Sequence, residues 1–357
     1  MSRQRIAGFD LARALAIFGM VIVNFKTVMH TDHQPDGGWW SLFDLVDGRA
    51  AAMFVTLAGV GISLSAGGDG ASEQSLQQAR SRLLWRALWL LVGGLAYIEI
   101  WPADILHYYG VYLCVGAMLL ATPSRILLAL ACVVVALVPL LHTLLDYGSG
   151  WDWQALSYRG FWSVTGFVRN LFFNGFHPVF PWIGFLLIGM VLGRPAWLLP
   201  EKRRVLLTTS LLVCALTESL ALGCRWLMGE LGQPRELADF LFSTTPMPPQ
   251  PFYFISAAAS AIAIIVSCVA IAERFADSAW LKPLIHTGQL ALTLYLAHVL
   301  IGMSALEAMG LITSHSASIA IGSALAFCVG AVVFASLWRR RFRQGPVEWL
   351  LRRLSTF

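Results

Sequence analysis

Charge is the scarcest commodity in this chain. Asp, Glu, Lys and Arg make up 13% of 357 residues, against about 25% in a soluble globular domain. A surface so poor in charge cannot be kept in water, which excludes a soluble enzyme. The same figure excludes a disordered chain and a coiled coil. Cysteine is sparse as well, with six residues. Cys114, Cys132, Cys214, Cys224, Cys268 and Cys328 all sit inside apolar runs, and none forms a C-x-x-C pair. That excludes a disulfide scaffold and gives no reason to expect a metal site. The cysteines read as small core hydrophobes.

What the chain has in excess is apolar length. Hydrophobic residues reach 57% and the mean hydropathy is +0.68. They fall into runs of the roughly 17–25 residues needed to cross about 30 Å of hydrocarbon as helix. The runs lie near 8–28, 50–66, 83–100, 105–121, 126–145, 178–193, 205–227, 251–273, 288–310 and 316–338. They are continuous rather than alternating, so helices and not a barrel are expected. The first run is too long for a cleavable leader and no small-residue cleavage site follows it. The expected fold class is an all-α, polytopic integral membrane helical bundle of about ten transmembrane helices. Residues 1–338 form the bundle and 339–357 a basic cytoplasmic amphipathic tail.

The net charge of +5 and pI near 9.0 would suggest nucleic acid in a soluble protein. Placement argues against it. With the N-terminus inside, 18 of the 25 Lys and Arg fall in cytoplasmic segments. They cluster at Arg3 and Arg5, Arg80 to Arg86, Lys202 to Arg204, and Arg339 to Arg353. Only Arg159, Arg169, Arg225 and Arg235 fall outside. This positive-inside split puts both termini in the cytoplasm and makes membrane lipid, not nucleic acid, the partner of the charge. In the closing GPVEWLLRRLSTF, Val347, Leu350, Leu351 and Leu354 share one helical face, as in a helix lying in the headgroup layer. Trp151, Trp153, Tyr158, Phe161 and Trp162 crowd the loop 146–177 and read as an aromatic belt, with a surface helix as the expected form.

Ionisable groups inside spans are expensive and mark functional candidates. In the first span, FDLARALAIFGMVIVNF, Asp10 and Arg13 are a turn apart and can pair. Arg13 and Asn24 point the same way about 16 Å apart along the axis. The competing reading is an interfacial arginine and a helix-packing amide. His30 and His33 follow, with Asp32 and Asp36, as a base and its orienting carboxylate or simply a solvated loop. Arg49 opens the second span, whose Gly59 and Gly61 suit close helix packing. In WPADILHYYG, Asp104 and His107 adjoin on a helix, the arrangement that sharpens a general base; a capping Asp and an interfacial His would look alike. GFHPVFPWIGF sets His177 and Trp182 around two prolines, as at a rigid entry or a broken helix. Tyr295 and His298 share one face near mid-span. Glu99 and Glu307 end spans on the outer side. By topology, Asn24, His30, His33, Asp104, His107, His177 and His298 are expected in the outer half of the bundle.

The blocks RIAGFDLARALAIFGMVIVNF, DGRAAAMFVTLAGVGISL, WPADILHYYGV, NGFHPVFPWIGFLLIGMVLGR, GQLALTLYLAHV and GPVEWLLRRLS, taken in order, resemble the YeiB-like family of bacterial multi-span proteins, domain of unknown function 418. That family resembles heparan-alpha-glucosaminide N-acetyltransferase and, more distantly, the membrane acyltransferase-3 proteins. The latter carry Arg, ten residues, then His in the first span; here Asn24 stands in place of that His. The glucosaminide enzyme's catalytic His lies further on, before an Asp-Leu pair. His33, ahead of Asp44-Leu45, is the corresponding residue, with His30 the alternative.

The resemblance implies transfer of an acyl group, such as acetyl, from cytoplasmic acyl-CoA (acetyl-CoA) to a glycan or lipid acceptor on the outer face of a bacterial cytoplasmic (inner) membrane. His33, His30, Asp104, His107 and Asn24 are the expected catalytic residues. Asp10, Arg13, Arg49, His177, Trp182, Tyr295 and His298 are the expected donor- or substrate-binding residues. Whether copies of the chain associate into a homo-oligomer is open. A transporter or flippase without chemistry is the competing reading, since intramembrane charge and proline-interrupted spans serve it equally well.

Overall fold

The structure is a computed structural model that describes residues 6–29, 39–66, 72–153, 155–197, 199–312 and 316–355. Fifteen α-helices run along the described residues. They are α1 (Ala7–Val28), α2 (Arg49–Ala66), α3 (Glu73–Tyr97), α4 (Leu106–Met118), α5 (Ser124–Leu144), α6 (Val164–Arg169), α7 (Val179–Leu192), α8 (Pro200–Glu230), α9 (Arg235–Phe242), α10 (Pro251–Arg274), α11 (Leu281–Gln289), α12 (Ala291–Ala297), α13 (Ser304–Ala308), α14 (Ala317–Arg341) and α15 (Pro346–Leu354). One two-stranded antiparallel hairpin, β1 (Trp151–Asp152) with β2 (Ser157–Tyr158), is the sheet among them. The protein is an all-α membrane bundle.

Seven helical stretches among the described residues are long and apolar enough to span a bilayer, or eight if the bent pair 164–174 and 179–192 is one span. These seven coincide with seven of the ten apolar runs. The other three differ for physical reasons. Helix α3 carries Arg80, Arg82 and Arg86, which lowers its hydropathy. Helix α4 is 13 residues long, about 20 Å at helical rise and short of the hydrocarbon thickness. The run at 178–193 is the second arm of the bent pair, whose arms meet at 46°. Exposed leucines line α8 at Leu211, Leu212, Leu216 and Leu220, as a lipid-facing helix requires.

The fold divides into two compact units. One comprises residues 1–54 and 261–351, the other 55–260 and 352–357. In the first unit, α1 is the central element. Gly8, Ala12, Ala16 and Gly19 put small residues on it at helical spacing. A Cβ on Gly8 would strike the Val269 backbone, and one on Gly19 would lie 2.7 Å from Ala50 Cβ. Small side chains thus let backbones approach where lipid supplies no hydrophobic drive between helices. Helix α1 packs on α11, α12 and α14.

Helices α11 and α12 are interrupted at Leu290 (φ −108°, ψ 22°). The break is sealed from the tail. Glu348 Oε1 accepts the backbone N–H of Leu292 at 2.7 Å and of Thr293 at 3.0 Å. The Thr293 hydroxyl donates to Glu348 Oε2 at 2.5 Å, and the Val347 N–H donates to that hydroxyl at 3.2 Å. The tail holds helix α15, on which Trp349 and Leu350 are exposed.

In the second unit, α3 and α4 pack on each other and α5 packs on α7. Gly59 lies against the α7 backbone at Leu186 and Gly189 against Thr56, while Ser63 Oγ donates to the Met190 carbonyl at 2.5 Å. Gly61 differs from expectation. A Cβ there would meet nothing within 4 Å, because two residues turn the helix about 200°.

The loop 146–177 holds the hairpin and a short helix rather than one surface helix. Trp151 stacks on Trp153 with ring centroids 4.5 Å apart and donates through Nε1 to the Asn174 carbonyl at 2.5 Å. Asn174 Oδ1 accepts from the Tyr158 hydroxyl at 2.8 Å. Part of the aromatic cluster is therefore internal structure, while Trp153 and Trp162 stay exposed. Burial holds the Tyr147 phenol well above its ordinary range, so it stays neutral.

Candidate functional site

Each unit gathers its own polar cluster. In the first, Asn24 on α1 meets His298, which opens a π-helical turn (His298–Met303) after α12. His298 is buried. Its Nδ1–H donates to the Tyr295 carbonyl, which leaves Nε2 as the acceptor in the neutral ring. The Asn24 amide Nδ2 lies 2.9 Å from that Nε2, so the amide donates and its orientation is fixed. The second Nδ2 proton of Asn24 is not used in this contact. Tyr295 is buried beside His298, with ring centroids 5.2 Å apart.

Toward the start of α1, Arg13 pairs with Asp10 as their spacing predicts. Gln289 Nε2 donates to Asp10 Oδ2 at 3.2 Å. Asp10 is 1% exposed and Arg13 28%, so part of the guanidinium stays reachable. Near the end of α1, Lys26 pairs with Asp44 and lies 3.6 Å from Asp47. Arg49 opens α2 and is half-buried. His30 and His33 lie outside the described residues.

The second unit holds a buried carboxylate–imidazole dyad. Asp104 and His107 are both 0% exposed, which does not fit an interfacial His. Asp104 Oδ2 accepts the His107 backbone N–H at 3.2 Å and faces the His107 Nδ1 at 3.0 Å. Asp104 is therefore both the helix cap and the orienting carboxylate. With Nδ1–H given to Asp104, Nε2 is the ring's lone-pair nitrogen. Among the described residues no group pairs with that Nε2, nor with His177 Nδ1 or Trp182 Nε1. A chain of ring contacts links the three. His107 lies 3.8 Å from the Tyr108 ring, Tyr108 6.1 Å from His177, and His177 4.8 Å from Trp182. Each unpaired buried polar atom costs about 1–3 kcal/mol.

The surroundings hold these rings firmly. Tyr108 donates to Asn170 Oδ1 at 2.7 Å and Tyr112 to the His177 carbonyl at 2.7 Å. The π turn Asn170–Asn174 supplies Asn170 and Asn174. Such turns concentrate at functional sites. Gly94 lets α3 approach so closely that a Cβ there would lie 2.8 Å from Asp104 Oδ2. Glu99 is exposed and accepts from Trp162 Nε1 at 2.6 Å; Glu307 is exposed as well.

Spacing paired Asp10 with Arg13 and Asp104 with His107. It did not reveal Asn170, Asn174, Gln289 or Glu348. An amide in a π turn, or a glutamate 55 positions from its partner, carries no local signal. A further group, Glu218 Oε1 accepting from Ser256 Oγ at 2.5 Å and Oε2 from Thr244 Oγ1 at 3.0 Å, was visible only as a charge in an apolar run. Among the described residues no three His, Cys, Asp or Glu side chains gather as metal ligands.

The catalytic-domain family model of heparan-alpha-glucosaminide N-acetyltransferase matches residues 5–218, more than half of the chain. The chain belongs to that family. Residues 192–357 match the model named protein of unknown function (DUF418). The Uncharacterized protein YeiB of Escherichia coli (strain K12) is 25% identical, over 99% of this chain and 96% of its own length. The chain is thus YeiB-like, in the DUF418 group related to the glucosaminide acetyltransferase. The first match takes in Asn24, Asp104, His107, His177 and Trp182, and the second takes in His298 and Glu348.

Proposed function

We propose that this protein is a membrane-embedded acyltransferase of the bacterial cytoplasmic membrane. It moves an acyl group, acetyl in the simplest case, from cytoplasmic acyl-CoA to an extracytoplasmic glycan or lipid acceptor, with both termini cytoplasmic. The observation that carries this reading is the match to an acetyltransferase catalytic domain across the helices bearing Asn24 and the Asp104–His107 dyad.

The chemistry is a thioester exchange. The acceptor oxygen or nitrogen attacks the thioester carbonyl while an imidazole takes its proton; the C–S bond breaks and the thiolate leaves as the protonated thiol. The imidazole is His33 or His30. Asn24 donates its remaining amide proton to the oxygen that becomes negative, a role that suits an amide held in place by His298. Asp104 orients His107. Arg13 has five N–H donors, and its partly exposed guanidinium gives a CoA phosphate something to bind while Asp10 holds the rest. Arg49 reinforces that charge; Tyr295 is a candidate substrate contact in the first unit, as His177 and Trp182 are in the second.

The test uses the purified full chain in phospholipid nanodiscs with labelled acetyl-CoA. Transfer of label into envelope glycan or lipid supports the reading. No transfer, with no shift of the thermal midpoint by coenzyme A, sinks it. The broken helix α11–α12 and the bent pair at α7 favour the second reading, a transporter or flippase, because broken helices form substrate sites in transporters. Movement of acceptor across the bilayer without acylation distinguishes that case.

A further inference from the structure

A cavity in the second unit takes in none of the residues assigned to acyl transfer. We infer that it holds the headgroup of a zwitterionic phospholipid, with the phosphate on Arg225 and Arg235 and the ammonium against Glu230 and Trp226. This inference stands apart from the acyl-transfer reading, and neither depends on the other.

The chain reverses at Gly232, whose φ of +68° lies in the left-handed region that glycine adopts freely. Pro234 then leads into α9, which folds back on α8. A cavity of about 480 Å³ lies there, and its lining includes Leu222, Arg225, Trp226, Glu230, Arg235 and Asp239. Its depth in the membrane follows from α8 itself. Arg204 and Arg225 stand on that one helix, about 32 Å apart along its axis. The hydrocarbon layer is about 30 Å thick. With Lys202 to Arg204 in one headgroup layer, the cavity falls in the other. Leu211 and Leu222 are both exposed, and they project within about 20° of each other, about three turns apart. Leu222 lines the cavity one turn before Trp226. An exposed apolar strip therefore leads from the hydrocarbon to the cavity, where an acyl chain can lie with its headgroup above.

The charges select the headgroup. Arg225 Nη1 lies 3.7 Å from Asp239 Oδ1, and Arg235 Nε lies 3.5 Å from Asp239 Oδ2. These are ion pairs, longer than good hydrogen bonds. Two guanidiniums that flank both oxygens of one carboxylate are spaced to share the oxygens of one phosphate. Arg225 gives its Nε–H to the Ala221 carbonyl at 3.4 Å, which steadies the guanidinium while its terminal N–H groups bind. The Arg235 side chain is 94% exposed, so it can close over a phosphate from the water side. Asp239 offsets one of the two cations, which leaves one net positive charge for a phosphodiester monoanion. The other charge in the lining is the Glu230 carboxylate, one turn on from the exposed Trp226 ring. A carboxylate beside an indole face suits an ammonium. A headgroup with a phosphate and no amine would bring its negative charge to Glu230 with nothing to offset it.

The experiment offers the purified full chain in detergent equal amounts of phosphatidylethanolamine and phosphatidylglycerol with the same acyl chains. Native mass spectrometry reads the lipid retained per chain. The unaltered chain should retain phosphatidylethanolamine about tenfold over phosphatidylglycerol. R225Q combined with R235Q should lower retention of both lipids about tenfold. E230Q should keep lipid and lose the preference. G229L is the steric test. A Cβ on Gly229 meets nothing within 4 Å, so the larger side chain enters the cavity without striking backbone. It should expel the lipid and leave the unfolding midpoint unchanged. Equal retention of the two lipids by the unaltered chain overturns the inference, and so does full retention in G229L. If the double arginine variant does not fold, G229L and E230Q decide the matter between them. Glycerophosphoethanolamine, the same headgroup without acyl chains, should leave the lipid bound at equal concentration. Displacement by it would reveal a site for a soluble phosphodiester and overturn the lipid assignment.

Discussion

The Glu348 carboxylate and Thr293 meet twice, through the Thr293 backbone N–H at 3.0 Å and its hydroxyl at 2.5 Å. The tail thereby takes donors that the break at Leu290 would otherwise strand. Replacing Glu348 by Ala removes the acceptor of three bonds at once. We expect E348A to cost on the order of 1–3 kcal/mol, read as a lowered unfolding midpoint in detergent. T293V should cost less on its own. The double variant should fall short of the sum, since the two residues share one network. Additive losses would show that the contact is idle.

His298 and Asn24 are coupled in a different way, through activity. The His298 ring fixes the Asn24 amide at 2.9 Å. H298Q should retain the fold and lower acyl transfer, and N24A should lower it about 100- to 1,000-fold by removing the oxyanion donor. Single-turnover label transfer measures both. Full transfer in N24A would remove Asn24 from the chemistry.

Gly59 and Gly61, two residues apart on α2, give a packing test. A side chain on Gly59 must enter the α7 backbone at Leu186, whereas one on Gly61 meets nothing within 4 Å. G59V should destabilise by about 1–3 kcal/mol or more through overpacking. G61A should be neutral or slightly stabilising, because Ala is the better helix former. Comparing the two unfolding midpoints checks the face assignment of α2.

His286, on α11 ahead of the α12 span, has its pKa lowered from 6.5 by burial first, then by Arg339 and Lys282. The folded chain therefore binds this proton less readily than the unfolded chain does. Lowering the pH through 6.5 must favour unfolding, while above that value the group is neutral in both states and has no effect. H286Q should flatten the fall in midpoint between neutral and mildly acid buffer. An equal fall in H286Q would place the acid sensitivity elsewhere.

Much of this architecture could be read from residue order alone. Continuous apolar runs gave the membrane bundle, and a three-residue spacing gave both Asp10–Arg13 and Asp104–His107, because neighbours on a helix surface are fixed by its geometry. Length and charge then decide what hydropathy cannot. Helix α4 is apolar but short, and the arginines of α3 weaken its claim to a span. Contacts between distant positions stayed hidden. His298 is 274 residues from Asn24, and only the fold brings the ring to the amide. The break at Leu290 carries neither proline nor glycine at the interruption itself, so nothing local announced it. The aromatic loop was legible as a crowd of rings but not as a hairpin, since each strand is two residues long.

The π turn at His298–Met303 has a consequence for how this chain tolerates insertion and deletion. A π turn accommodates one residue more than an α turn, so removing a single residue between 298 and 303 would restore the α ladder. Everything beyond it would then rotate by about 100° relative to His298, carrying Leu306 off its buried face. One codon lost there would do more harm than most substitutions, although no charged or reactive group is deleted.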